Sequence, residues 1–146
     1  MRNLYIGLMS GTSIDSIDAV ITDLTEKKPV VVFQQSFEIP KDLRLETLKL
    51  INEGKTKEDF KFLDSRYSEL FSYSVINLLK KSKLSSKEIN AIGSHGQTVL
   101  HEPNKKNPFS LQLGDPKKIA KKTKILTVGN FRQEDIQNGG QGAPLS

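Results

Sequence analysis

No cysteine occurs in this 146-residue chain, which excludes disulfides and thiolate metal sites and suits a reducing compartment. Tryptophan is absent, and no apolar run approaches the roughly 20 residues that span a bilayer, so a soluble protein is expected. Met1-Arg2-Asn3 leads straight into a strand-like segment, without the apolar h-region or small-residue cleavage site of a secretory signal. The cytoplasm is the expected location. There is no G-x-x-x-x-G-K sequence, which excludes a P-loop fold, and no cluster of histidines with metal-ligand spacing. Internal repeats and low-complexity tracts are also missing.

Arginine is scarce, and lysine supplies most of the positive charge behind the net +5. The lysines are spread over Lys80-Lys81-Lys83, Lys105-Lys106, Lys117-Lys118 and Lys121-Lys122-Lys124, without interleaved aromatics or arginines. That pattern describes solvated helix faces rather than a nucleic-acid groove.

What the chain does have is an unusual stretch near its start, Met9-Ser10-Gly11-Thr12-Ser13-Ile14-Asp15-Ser16-Ile17-Asp18, between two short apolar runs. It reads as a hairpin tip. Glycine lets backbone N–H groups come close to a ligand, and the hydroxyls of Thr12, Ser13 and Ser16 add donors, as a phosphate-holding loop requires. The carboxylates of Asp15 and Asp18 suit phosphate only with a magnesium ion between, usually through retained water. A solvated turn of ordinary Gly, Ser and Asp composition is the alternative.

The rest of the chain places this loop. Leu4 to Leu8, Ile17 to Leu24 and Val30 to Ile39 read as three strands joined by short turns, hence antiparallel. Leu43, Leu45, Leu48 and Ile51 predict a brief helix ending at Glu53-Gly54. Thr56 is a candidate N-cap for a long helix, whose stripe Phe60, Leu63, Tyr67, Leu70, Phe71, Ser74, Val75, Leu78 and Leu79 predicts core packing. Ser85 to Glu88 resembles a capping box for a single turn. Ala91 to Ser94 predicts a short buried strand, Phe109 to Leu113 a second, and Ile125 to Val128 a third, with a helix from Lys117 to Lys122 behind Asp115-Pro116. Gly129 onward reads as a polar stretch, and Gly139 to Pro144 as a flexible loop. The order is α/β with a mixed five-stranded sheet, its first three strands antiparallel, flanked by helices. The length suits one domain.

Two further loops leave strands carrying donors for a polyhydroxylated ligand, His95-Gly96-Gln97-Thr98 and Asn130-Phe131-Arg132. Gln, Thr and Asn bond sugar hydroxyls, and Arg forks onto a carboxylate. His95 is either a base or substrate donor, or a structural histidine bonded to backbone.

Four ordered motifs make the chain resemble the N-terminal part of the anhydro-N-acetylmuramic acid kinase family, within the actin, Hsp70 and sugar-kinase ATPase superfamily. They are Met9 to Asp18; Gly93-Ser94-His95-Gly96-Gln97-Thr98-Val99 with His101 and Pro103; Leu111-Gln112-Leu113-Gly114-Asp115; and Phe131-Arg132, Asp135 and Gly139-Gly140-Gln141-Gly142-Ala143-Pro144. The resemblance implies an actin-like, ribonuclease H-like lobe spanning residues 1–146 of a two-lobe sugar kinase. It also implies ATP-dependent conversion of 1,6-anhydro-N-acetylmuramic acid to N-acetylmuramic acid 6-phosphate in cell-wall recycling. By motif match, Gly11, Thr12, Ser13, Ile14, Asp15, Ser16, Ile17 and Asp18 would hold ATP phosphates, with Asp15 and Asp18 near Mg2+ through water. His95, Gln97, Thr98 and Arg132 would line the sugar side.

This chain departs from the family at Ser16, where glycine is usual, and at Asn130, where aspartate is usual; an amide donates hydrogen bonds as well as accepting them. Family members are more than twice as long, so the resemblance places the catalytic aspartate, the adenosine site and the second lobe after Ser146. The expected partners are therefore the anhydro-sugar and a C-terminal lobe, with an apolar face that favours association, including a homodimer. Three readings stay open: a piece of that kinase, a binding or vestigial domain without turnover, and, last, a nucleic-acid binder.

Overall fold

The computed structural model describes residues 2–142. Strand β1 (Leu4–Ser10) turns into β2 (Ser16–Asp23), which returns to β3 (Val30–Glu38), and both pairings are antiparallel. Alternation explains their placement: Ile17, Ala19 and Ile21 are at most 2% exposed, whereas Asp18, Val20 and Thr22 point to the opposite face. Leu4, Ile6 and Leu8 of β1 join the same buried layer.

Two helices follow. Helix α1 (Lys41–Asn52) ends where Gly54, at φ +64, donates its N–H to the Ile51 carbonyl. Helix α2 (Lys57–Ser82) starts where the Asp59 carboxylate accepts the Thr56 N–H at 2.8 Å. Its predicted stripe is the core: Phe60, Leu63, Tyr67, Phe71, Val75 and Leu78 are fully buried. Each large side chain there contributes about 1.5–3 kcal/mol by leaving water. The Tyr67 hydroxyl, 2.6 Å from Thr47 Oγ1, ties α2 to α1. Burial pushes the Tyr67 phenol above its ordinary pKa.

After the single 3-10 turn Ser86–Glu88, closed by the Glu88 carboxylate on the Ser85 N–H, comes β4 (Ile89–Glu102). It is a continuous strand of 14 residues, not the short Ala91 to Ser94 strand expected to stop before His95. Its first part pairs parallel with β1 and its second part antiparallel with β5 (Phe109–Leu113). Helix α3 (Pro116–Thr123) begins where the Asp115 carboxylate accepts the Lys117 N–H. Strand β6 (Thr127–Val128) then pairs parallel with Ile92 and Gly93.

Among the described residues the sheet runs β3-β2-β1-β4-β5 with β6 also on β4, so it is mixed and holds six strands rather than five. The two-residue β6, the end of the expected Ile125 to Val128 strand, finds room beside β4 because β5 pairs only from Gln97 onward. The stretch after Gly129, expected to be irregular, forms helix α4 (Phe131–Gln137). The α2 and α3 helices pack on the face that carries the core, whereas Phe131 of α4 lies over Gly93 on the other face. Gly139 to Gly142 is not a loose tail: Gly140 donates its N–H to the Asp135 carbonyl and Gly142 its N–H to the Asp135 carboxylate. Ala143 and Pro144, the end of the expected loop, lie outside the described residues.

Candidate functional site

Strand alternation leaves the face opposite the main core with small or polar groups. Gly7 of β1 and Gly93 of β4 are register partners, flanked by Val20 of β2. Two neighbouring glycines remove the side chains that would otherwise fill this face, and a cleft of about 750 Å³ opens above them. Its walls include Met9, Asp18, Gln34, Ser36, His95 and Phe131. The Asp18 carboxylate accepts a hydrogen bond from the Ser36 hydroxyl across the β2–β3 pair.

A bulge in β4 decides which motif residues reach this cleft. Leu8 pairs with Ser94, but Ser10 pairs with Gln97, so β4 carries one extra residue at this point. Gly96 absorbs it at φ +78, where an added Cβ would sit 2.7 Å from the Leu113 carbonyl oxygen. The parity of the strand flips there. His95 stays on the cleft side, while Gln97 turns toward Ser10 and is completely buried.

Gln97 was expected on the sugar side, and the fold places it elsewhere. Its Oε1 accepts from the Ser10 hydroxyl, and its Nε2 donates to the carbonyls of Gly11 and Thr98, each at 3.1 Å. Its amide is thereby satisfied by the protein.

His95 and Arg132 meet, as two side chains from distant motifs. Arg132 Nε lies 2.9 Å from His95 Nε2, and His95 Nδ1 lies 3.0 Å from the Gly96 carbonyl oxygen. A guanidinium only donates, so Nε2 is the acceptor and the ring proton sits on Nδ1, donating to Gly96. Burial, reinforced by the Arg132 charge, pushes the His95 pKa below its ordinary 6.5 despite the opposing backbone bond. This is the structural reading of His95, with Nε2 already engaged.

Thr98 belongs to an adjoining polar ladder. Gln112 Nε2 donates to Thr98 Oγ1 and to the Ser110 hydroxyl, whose oxygen lies 3.0 Å from His101 Nδ1. Gln133 of α4 accepts the Ser110 N–H. Asn130 caps α4 in the left-handed conformation, φ +61, which asparagine tolerates better than most residues.

The hairpin tip stands at the end of β1. Gly11, Thr12, Ser13 and Asp15 are exposed, and Ser16, Ile17 and Asp18 already belong to β2. Ile14 and Ile17 bury their side chains, at 1% and 0% exposure, so they anchor the loop and offer a ligand only backbone. The Ser10 hydroxyl also reaches the Ser16 carbonyl at 3.3 Å. Arg44 Nε donates to the Ser13 carbonyl. The Ser13 hydroxyl bonds one oxygen of Asp15 and holds that carboxyl below the ordinary carboxylate pKa.

The donor chemistry fits a hydrated magnesium ion. Asp15 and Asp18 each have one carboxylate oxygen engaged by a serine hydroxyl, which leaves hard oxygens of the kind such an ion takes one or two of while keeping its waters. Among the described residues no group of three or more His, Asp or Glu forms a denser metal cage.

A family model described as anhydro-N-acetylmuramic acid kinase matches residues 3–146. The chain belongs to that family. Similar proteins include the anhydro-N-acetylmuramic acid kinases of Sulfurovum sp. and Shewanella baltica, each 46% identical over 145 and 148 residues. That of Vibrio vulnificus is 41% identical over 145 residues. These matches take in 99% of this chain and 39–40% of the relatives, so the chain spans about two fifths of their length. Among the described residues no helix is long and apolar enough to cross a membrane. For this member of the anhydro-N-acetylmuramic acid kinase family, sequence reasoning missed Gly7 and Ser36 of the cleft, and it quoted Gly93 and Phe131 in motifs without giving them a place in its floor and wall. A glycine inside a strand signals close approach, and Gly7 and Gly93 carried that signal without saying they were neighbours.

Proposed function

We propose that this chain is the phosphate-holding and sugar-facing lobe of an ATP-dependent kinase that converts 1,6-anhydro-N-acetylmuramic acid to N-acetylmuramic acid 6-phosphate in cell-wall recycling. The observation that carries the reading is one of placement: the tip with its exposed Gly11, Thr12, Ser13 and Asp15 and the glycine-floored cleft sit on adjoining stretches of β1 and β2. Nucleotide phosphates rest on the backbone N–H groups and hydroxyls of the tip, and the sugar occupies the cleft beside His95 and Arg132. Asp15 and Asp18 would hold Mg2+ through water, and such an ion would supply charge neutralisation at the phosphates. The guanidinium Nη groups of Arg132 hold a carboxylate or sugar oxygens, while Nε is tied to His95.

In the reaction, water adds its oxygen to C1 as the C1–O6 bond breaks. O6 takes the γ-phosphoryl group, ADP leaves, and the water proton passes to a general base. By the resemblance to the kinase family, that base is expected in the part of such kinases that follows the matched region. The expected partner is a C-terminal lobe that supplies it and closes over the nucleotide.

Calorimetric titration of the chain with Mg-ATP and with the anhydro-sugar tests this. Saturable heat from both is expected. Absence of heat from both overturns the assignment, and heat without product in the presence of both ligands favours a binding domain that needs a second lobe for turnover.

A further inference from the structure

We infer that Gln97 is a positioning residue that aims the backbone of the hairpin tip, rather than a ligand of the sugar; this rests on the reading of the tip as a phosphate loop. The Gly11 carbonyl accepts two bonds, from Gln97 Nε2 at 3.1 Å and from the Ile14 N–H at 3.2 Å. In a trans peptide the carbonyl and the next N–H point in opposite directions. Fixing the Gly11 carbonyl on Gln97 therefore turns the Thr12 N–H away from the protein. Thr12 and Ser13 are exposed, and among the described residues their N–H groups donate to no protein acceptor. The Thr12 amide is thus presented outward, as an anion site needs, and the Ser13 amide is left without a protein acceptor.

The anchor is itself rigid. Gln97 is completely buried, Ser10 is 2% exposed, and the one hydroxyl proton of Ser10 is donated to Gln97 Oε1, with the Ser16 carbonyl 3.3 Å from the same hydroxyl. The tip thus stands on one buried pair. The bulge at Gly96 is what delivers Gln97 there, so the β4 motif serves both sides of the sheet: His95 for the cleft and Gln97 for the tip.

The test compares the natural chain with Gln97→Met, which keeps side-chain length and apolar fill but removes the donor to Gly11. Titrations with Mg-ATP and with 1,6-anhydro-N-acetylmuramic acid are run separately. Mg-ATP affinity is expected to fall about tenfold or more, by loss of an aligned donor to a charged group, with sugar affinity retained; the thermal midpoint falls because the Gly11 and Thr98 carbonyls lose a buried donor. Unchanged Mg-ATP affinity, or equal losses for both ligands, overturns the inference. Should Gln97→Met fail to fold, Ser10→Ala, which removes only the hydroxyl anchor, is read in the same way. If the natural chain takes up no Mg-ATP, the phosphate-loop reading itself fails. The amide resonances of Thr12 and Ser13 then decide the positioning claim alone: displacement in the variant, with Gly139 unmoved, supports it, and unmoved resonances overturn it.

Discussion

His95 is where a single protonation reorganises the site. Its neutral ring accepts from Arg132 through Nε2, and protonation replaces that acceptor with a second N–H facing a guanidinium. Because burial and Arg132 lower the folded pKa below 6.5, the unfolded chain binds more protons in the window beneath that value. The contribution to stability is therefore present in full above about pH 6.5 and is lost as pH falls through the lowered folded value. Titration of the His95 ring by NMR is expected to give a midpoint below that of a free histidine. The thermal midpoint should drop between pH 7 and 5, and His95→Asn should flatten that part of the profile. A His95 midpoint at or above 6.5 would contradict the neutral, Arg132-bonded ring.

Within the elements, the β4 bulge carries the most consequence per residue. Gly96→Ala places a Cβ 2.7 Å from the Leu113 carbonyl oxygen and 3.0 Å from Gln112 Cβ, at a φ of +78. Left-handed strain and overpacking together cost roughly 2–4 kcal/mol. Urea unfolding is expected to show that loss as a lower midpoint with an unchanged slope; a loss below about 0.5 kcal/mol would mean the bulge is not held in this conformation. Helix α2 behaves differently. Its boundaries and buried stripe were legible because a period of 3.6 residues repeats over many turns and Thr56 and Asp59 cap it locally. Helix α4 was not legible: it is one short helix of seven residues, and its Asn130 N-cap makes no side-chain capping bond.

For the whole molecule, ligand binding couples to unfolding by mass action. At a hundredfold excess over its Kd, Mg-ATP is expected to add about 2.7 kcal/mol to stability, a rise of about 5–10 °C in the thermal midpoint for a chain of this size. Differential scanning fluorimetry with and without Mg-ATP checks it; a midpoint that does not move removes the nucleotide from the proposal. Salt should change the shift little beyond the screening of phosphate charge. Two of the surface lysines lie beside carboxylates, Lys118 near Asp64 and Lys122 near Glu69. Such exposed pairs add about 0–1 kcal/mol each.

The chain's own residues determined the local facts: the antiparallel first three strands, the α2 core stripe, the caps at Thr56 and Asp115, and the glycine-and-hydroxyl tip. Each depends on spacing or chemistry within a few neighbours, which a linear reading contains. Tertiary structure alone decided that Gly7 and Gly93 form one floor and that Arg132 bonds His95. It also turned Gln97 to the face opposite the cleft. Those outcomes depend on register between strands far apart in sequence, and a one-residue bulge reverses the face of every residue that follows it.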